Sequence, residues 1–199
     1  MSQEDIPPKD KIYAPATFGA LRQGEIISDL VQFILRPETI NTEDLTGAPL
    51  IHPLAIIVSQ DCDLDQDFRA RNGLASEDKK LPNVLFCQMI SAENLRGRSD
   101  INAGLWPRIR NNKDERYHFF QKINSEDDAL QEGLPELGVD FKRYFSLPTE
   151  EVYERLKSKA KRRSCLVSPY LEHFSTRFAY YQFRVALPQN HFSEPVGNK

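Results

Sequence analysis

A chain of 199 residues that is 40% hydrophobic and 28% charged can bury a core of its own, and its length suits one domain. Its net charge of -3 excludes a dedicated, strongly basic nucleic-acid binder, so any phosphate contact must come from a local patch. No apolar run reaches the ~18 residues of a membrane span. The acidic opening Met1-Ser2-Gln3-Glu4-Asp5 lacks the form of a signal peptide, and Cys62, Cys87 and Cys165 are too scattered for a disulfide framework, so the expected compartment is the cytoplasm.

Residues 1–20 carry Pro7, Pro8 and Pro15 and read as an extended arm. Gly24 to Leu35 is the first apolar segment and predicts a strand or a strand pair. The stretch from Arg36 to Pro53 is polar and turn-rich. Leu54 to Val58 is a short continuous apolar run with β-branched residues, which predicts a strand buried on both faces. Asp65 to Pro82 reads as a loop, Val84 to Ile90 as a third core strand, and Tyr117 to Phe120 as the start of another. An acidic loop from Asn124 to Gly138 precedes a partly alternating strand, Val139 to Phe145. Thr149, ahead of Glu150 and Glu151, predicts a capped helix running to about Arg163. Ser168-Pro169 opens a second helix, on which Leu171, Phe174, Phe178 and Tyr181 form one apolar stripe. Pro188 closes the expected structured region.

Strands first and helices last predict an α+β fold: a mostly antiparallel small β-barrel or sheet with the C-terminal helices packed on it. The expected organisation is an arm at 1–20, a β-rich part at 21–147, a helical part of the same domain at 148–188, and a tail at 189–199.

The chemistry concentrates in Ser59-Gln60-Asp61-Cys62-Asp63, at the end of the doubly buried strand. Asp61, Cys62, Asp63 and His118 are the catalytic candidates. Adjacent carboxylates raise a thiol's pKa, so a nucleophilic Cys62 needs His52, His118 or an arginine beside it. The alternative is a structural cysteine beside turn-capping acids. An EF-hand loop starting at Asp61 fails because Gln66 and Asn72 stand where Gly and Glu belong. A looser magnesium site at Asp61 or Asp63 competes with plain solvated acids. Cys62, Cys87, His52 and His118 have no zinc-type spacing, so no metal and no cofactor is expected. Arg96, Arg98, Arg108, Arg110 and Arg116 surround Trp106, and arginines among aromatics suit phosphate contact and base stacking. The other reading of that segment is a polar loop with its tryptophan anchored in the core.

Arg22-Gln23-Gly24-Glu25-Ile26-Ile27 resembles the opening R-x-G-[DE]-I strand of the PemK and MazF toxins. Pro53 to Ser59 resembles that family's second strand, with His52 where the family has arginine. The resemblance implies a compact β-barrel that binds and cuts RNA without metal, using an arginine and a threonine or serine. It places the chain in a toxin–antitoxin or antiphage-defence setting. Val58 to Leu64 is also similar to a [LV]-S-Q-x-C-D-[LI] segment of uncharacterised bacterial proteins. Three functions follow as expectations. The first is a nucleic-acid-binding or RNA-cleaving barrel. The second is a non-enzymatic subunit that docks on a larger protein through its C-terminal helices. The third is an enzyme dependent on Cys62.

Overall fold

The computed structural model describes residues 11–41 and 43–183; the first half of the expected arm, the stop at Pro188 and the tail lie outside them. The strands are β1 (Tyr13–Pro15), β2 (Glu25–Leu35), β3 (Gly47–Ile57), β4 (Asn83–Ser91), β5 (Tyr117–Phe120), β6 (Leu137–Pro148) and β7 (Lys161–Leu166). They form one antiparallel sheet in the order β1-β7-β2-β3-β4-β6-β5. The helices are α1 (Asp61–Arg71), α2 (Ala92–Arg96), α3 (Leu105–Arg110), α4 (Thr149–Ser158) and α5 (Tyr170–Gln182).

Alternation along the strands divides the core. Ile26, Ile56, Cys87, Met89, Val139 and Phe141 pack on one face with Phe174 of α5. Ile27, Ala55, Ile57, Val84, Phe86 and Leu147 pack on the other with Leu64 of α1 and Val152 of α4. A third cluster joins Leu95 and Ile109 of the short helices to Tyr117 and Phe119 of β5. The run Leu54 to Val58 is therefore covered on both faces, as its composition predicts.

The α+β class holds, with two corrections. The sheet curls but does not close into a barrel. Its edges β1 and β5 share no ladder and approach through the Tyr13 hydroxyl, which donates to the Gln121 carbonyl at 3.0 Å, and through Lys11–Asp127 at 3.2 Å. The helices are also not gathered at the C-terminal end, since three of them precede β5.

Local corrections have identifiable causes. The expected loop from Asp65 begins inside α1, whose inward side includes a fully buried acid. Asp67 accepts both from Arg71 Nε at 2.9 Å and from the Leu81 N–H at 2.8 Å. The polar stretch from Arg36 holds the first half of β3, starting at Gly47. The helix expected up to Arg163 ends at Ser158, and Lys161–Leu166 forms β7 between β1 and β2. Thr149 is the first residue of α4 rather than its cap, and its hydroxyl donates to the Leu81 carbonyl at 2.6 Å. The stripe of α5 packs inward: Phe174 is buried, and Leu171, Phe178 and Tyr181 lean on the same cluster. That stripe is spent on the core, so docking through the C-terminal helices loses its best support.

Candidate functional site

Gln60 caps α1, and Asp61 is the first residue of that helix. The Asp61 carboxylate accepts a fork from Arg22, at 2.8 Å from Nε and 2.7 Å from Nη2, and a third bond from the Gln23 N–H at 2.9 Å. Burial pushes this carboxyl up, but the Arg22 fork and the Gln23 N–H outweigh it and hold it below its ordinary value. Arg22 stands at the turn into β2, where Gly24 takes a left-handed φ of 76° and a side chain would strike Leu171 at 2.7 Å. Behind the turn lies buried Glu25. Burial pushes its carboxyl up to about 7, against the pull of Arg162, whose Nε lies 2.8 Å away, and of the Arg22 N–H.

The Ser59–Asp63 segment is thus accessible and tied down at Asp61, yet it does not assemble a catalytic pair. Cys62 is exposed, with its sulfur 3.7 Å from the Asp63 carboxylate. It borders a cavity of about 480 Å³ shared with Thr17, Phe18, Ala20, Arg22, Asp61 and Asp65; no histidine lines it, and Arg22, the arginine beside the thiol, is held by Asp61. His118 lies elsewhere, buried on β5 against Phe120, Phe141 and Phe174. Its Nδ1 accepts from Arg177 Nε at 3.2 Å, and burial with that cation holds its pKa well below the ordinary value, so it stays neutral. His52 stacks on Phe145 at 3.8 Å and meets Gln32 at 3.1 Å. The expected site of Asp61, Cys62, Asp63 and His118 is therefore split between two places. Among the described residues, no group of three or more His, Cys, Asp or Glu side chains could hold a metal ion.

The arginine-rich segment is also divided. Arg98 is occupied by Asp100 and by buried Asp140, and Arg116 by Asp140 at 2.6 Å. Trp106 leans edge-on against Phe119 at 6.2 Å with the Arg96 guanidinium 5.8 Å from its ring, so it anchors the third core cluster instead of offering a stacking platform. Arg108 and Arg110, in the last turn of α3, are exposed and have no acidic partner among the described residues.

Arg110 opens onto a groove of about 620 Å³ lined by Asn111, Asn112, Phe119, Gln121, Lys122, Asn124 and Glu136. Its floor is fixed. The Asn112 amide closes a rung on β5, donating to the Phe119 carbonyl at 3.0 Å and accepting from the Phe119 N–H at 2.7 Å. Arg177 of α5 holds the loop from below, donating to the carbonyls of Asn112, Asp114 and Tyr117. Sequence reasoning found Arg110 but missed Lys122 and the four amides. The usable signal was the polar Gln121-Lys122 pair directly after the buried strand Tyr117–Phe120.

No family model, curated protein or solved structure matches the chain. No helix among the described residues is long and apolar enough to cross a membrane.

Proposed function

We propose that this protein binds single-stranded nucleic acid, with RNA as the first ligand to test, in the groove between the end of α3 and the end of β5. One observation carries the reading. Arg110 and Lys122 face one groove without acidic partners among the described residues, while Arg98 and Arg116 nearby are consumed by Asp100 and Asp140. Cations that are not spent on the protein are the ones that can neutralise phosphate. The side-chain amides of Gln121 and Asn124 each carry a donor and an acceptor, which suits unpaired base edges, while Asn112 is spent on Phe119 and the Asn111 amide N–H on the Pro107 carbonyl. Glu136 is the one acid of the lining, so binding fits this groove better than cutting. The resemblance of Arg22–Ile27 and Pro53–Ser59 to RNA-directed toxins supports the choice of ligand class.

The test is anisotropy of a fluorescent single-stranded RNA titrated at several salt concentrations. Binding should weaken as salt rises, and Arg110→Ala and Lys122→Ala should each reduce the log–log slope by about 0.7. Affinity indifferent to salt, or unchanged slopes in both variants, would overturn the reading. A second reading, a subunit of an assembly, is favoured by a different feature: the exposed apolar arm formed by β2 and β3.

A further inference from the structure

Beyond Ser28, β2 loses its neighbour β7, and before Leu54, β3 loses its neighbour β4. The two strands continue as a hairpin paired only with each other, from Leu30–His52 out to Leu35–Gly47. Asp29, with a left-handed φ of 59°, and Pro53 mark the point of departure. From Leu30 to Leu35 and from Gly47 to His52 there is no Asp, Glu, Lys or Arg. Phe33, Ile34, Leu35, Leu50 and Ile51 are exposed, Phe33 by 57% and Ile51 by 59%, and Ile40 and Leu45 add to them at the tip. An isolated monomer rarely shows so much contiguous apolar surface.

The two edges of this arm differ. The Arg36 N–H donates to the Thr46 carbonyl, so even-numbered residues of β2 bond to β3 and odd-numbered ones turn outward. Val31, Phe33 and Leu35 therefore present free N–H and C=O groups along the outer edge of β2. On β3 the outward position opposite Phe33 is Pro49, which has no N–H to offer. Proline blunts the β3 edge, whereas neither a proline nor a charge guards Val31 to Leu35.

We infer that the outer edge of β2 pairs antiparallel with the same edge of a second copy of this chain, about a two-fold axis through Phe33. The register follows from the residues. Phe33 would face its own counterpart, and Val31 would face Leu35 at both ends. Phe33, Val31, Leu35 and Ile51 would then lie on one continuous apolar face of a four-stranded ribbon. Beyond this pairing, the same axis sets Arg36 beside the second copy's Asp29, opposite charges at each end, both exposed here. The seven apolar residues leave on the order of 600 Å² exposed per chain, and the pairing covers the part of it that lies along the β2 edge. Self-pairing places no like charges opposite one another along the edge.

The test uses the full chain without nucleic acid. Sedimentation equilibrium should show a reversible dimer, and Phe33→Lys, which sets two ammonium groups at the axis, should return it to monomer. Phe33 is exposed in the single chain, so at a concentration where wild type is monomeric the urea midpoint of that variant should stay near the wild-type value. In a Cys62→Ser background, Phe33→Cys should form a disulfide-linked dimer under mild oxidation, because residues at a hydrogen-bonded antiparallel pair lie about 5.5 Å apart. Leu50→Cys should not crosslink. A monomer at every concentration, a dimer indifferent to Phe33→Lys, or crosslinking through Leu50→Cys instead would each overturn the inference. Because RNA is absent from these measurements, their outcome is separate from that of the groove.

Discussion

Replacing Asp128 with alanine should destabilise the protein more than any exposed substitution. Asp128 sits in the segment between β5 and β6 with its side chain fully buried, and Arg163 of β7 reaches it with a side chain only 9% exposed. The fork measures 2.9 Å from Nε and 2.7 Å from Nη2, and the same carboxylate accepts the N–H groups of Leu130, Glu132 and Gly133. Truncation would leave a buried guanidinium, with exposed Glu132 at 3.1 Å and the more distant Asp29 as remaining acids, together with orphaned N–H groups. Loss of one partner of a buried pair costs about 3–5 kcal/mol, against a total stability on the order of 5–15 kcal/mol. Urea unfolding measures it as a lowered midpoint at constant slope. Removing both partners in Asp128→Ala/Arg163→Met should cost clearly less than the sum of the single changes, because no charge is then stranded. Additive effects, or a loss below about 1 kcal/mol for Asp128→Ala, would refute the assignment of this pair as a fastener between β7 and the β5–β6 connection. The pH dependence has a definite sign. Burial raises the Asp128 carboxyl, but the Arg163 fork and the backbone N–H groups outweigh it, so its folded pKa lies below the ordinary carboxylate value. The contribution is therefore complete above that ordinary value and fades as pH falls through the folded one.

Glu25 should act in the opposite direction and in a different window. Its folded pKa is raised to about 7, so stability should fall as pH rises from the ordinary glutamate range through 7, by up to about 3 kcal/mol, and Glu25→Gln should flatten that fall in urea midpoints. Gly24→Ala should cost about 1–3 kcal/mol, because its left-handed φ and the nearby Leu171 and Leu166 leave no room for a methyl group. Arg22→Ala should cost no more than about 1 kcal/mol, since its fork to Asp61 is largely exposed. Of the cysteines, exposed Cys62 should label first with a thiol reagent in the folded protein, and Cys87, buried and with its thiol pushed up, only on unfolding.

The legible parts of this fold were those in which burial left an apolar trace. Leu54 to Val58, Val84 to Ile90 and the stripe Leu171–Tyr181 declare themselves because every inward position is a hydrophobe. Where an inward position is filled by a charge with a partner, the trace disappears. Asp67 faces inward from α1 on Arg71, and Arg163 faces inward from β7 on Asp128, so the first element looked like a loop and the second like a basic helix end. The groove is illegible for a related reason. Arg110, Asn112 and Lys122 are brought together by the amide rung of Asn112 and by Arg177 from α5, hydrogen bonds between distant segments that impose no spacing on the sequence.

The arm inverts the usual inference from proline. Pro49 and Pro53 suggested turns, yet both lie in β3, and the missing N–H of Pro49 is directed away from β2, where no ladder bond is lost. A strand can carry a proline at an outward position only if nothing needs to pair with that edge there. Pro49 therefore says that this side of the hairpin is a boundary. The uninterrupted Leu-Val-Gln-Phe-Ile-Leu of β2, with the same exposure and no such device, makes no corresponding statement. A chain that blunts one edge of an apolar hairpin and leaves its twin open distinguishes between them. The physical difference between the two edges is the capacity to accept another strand.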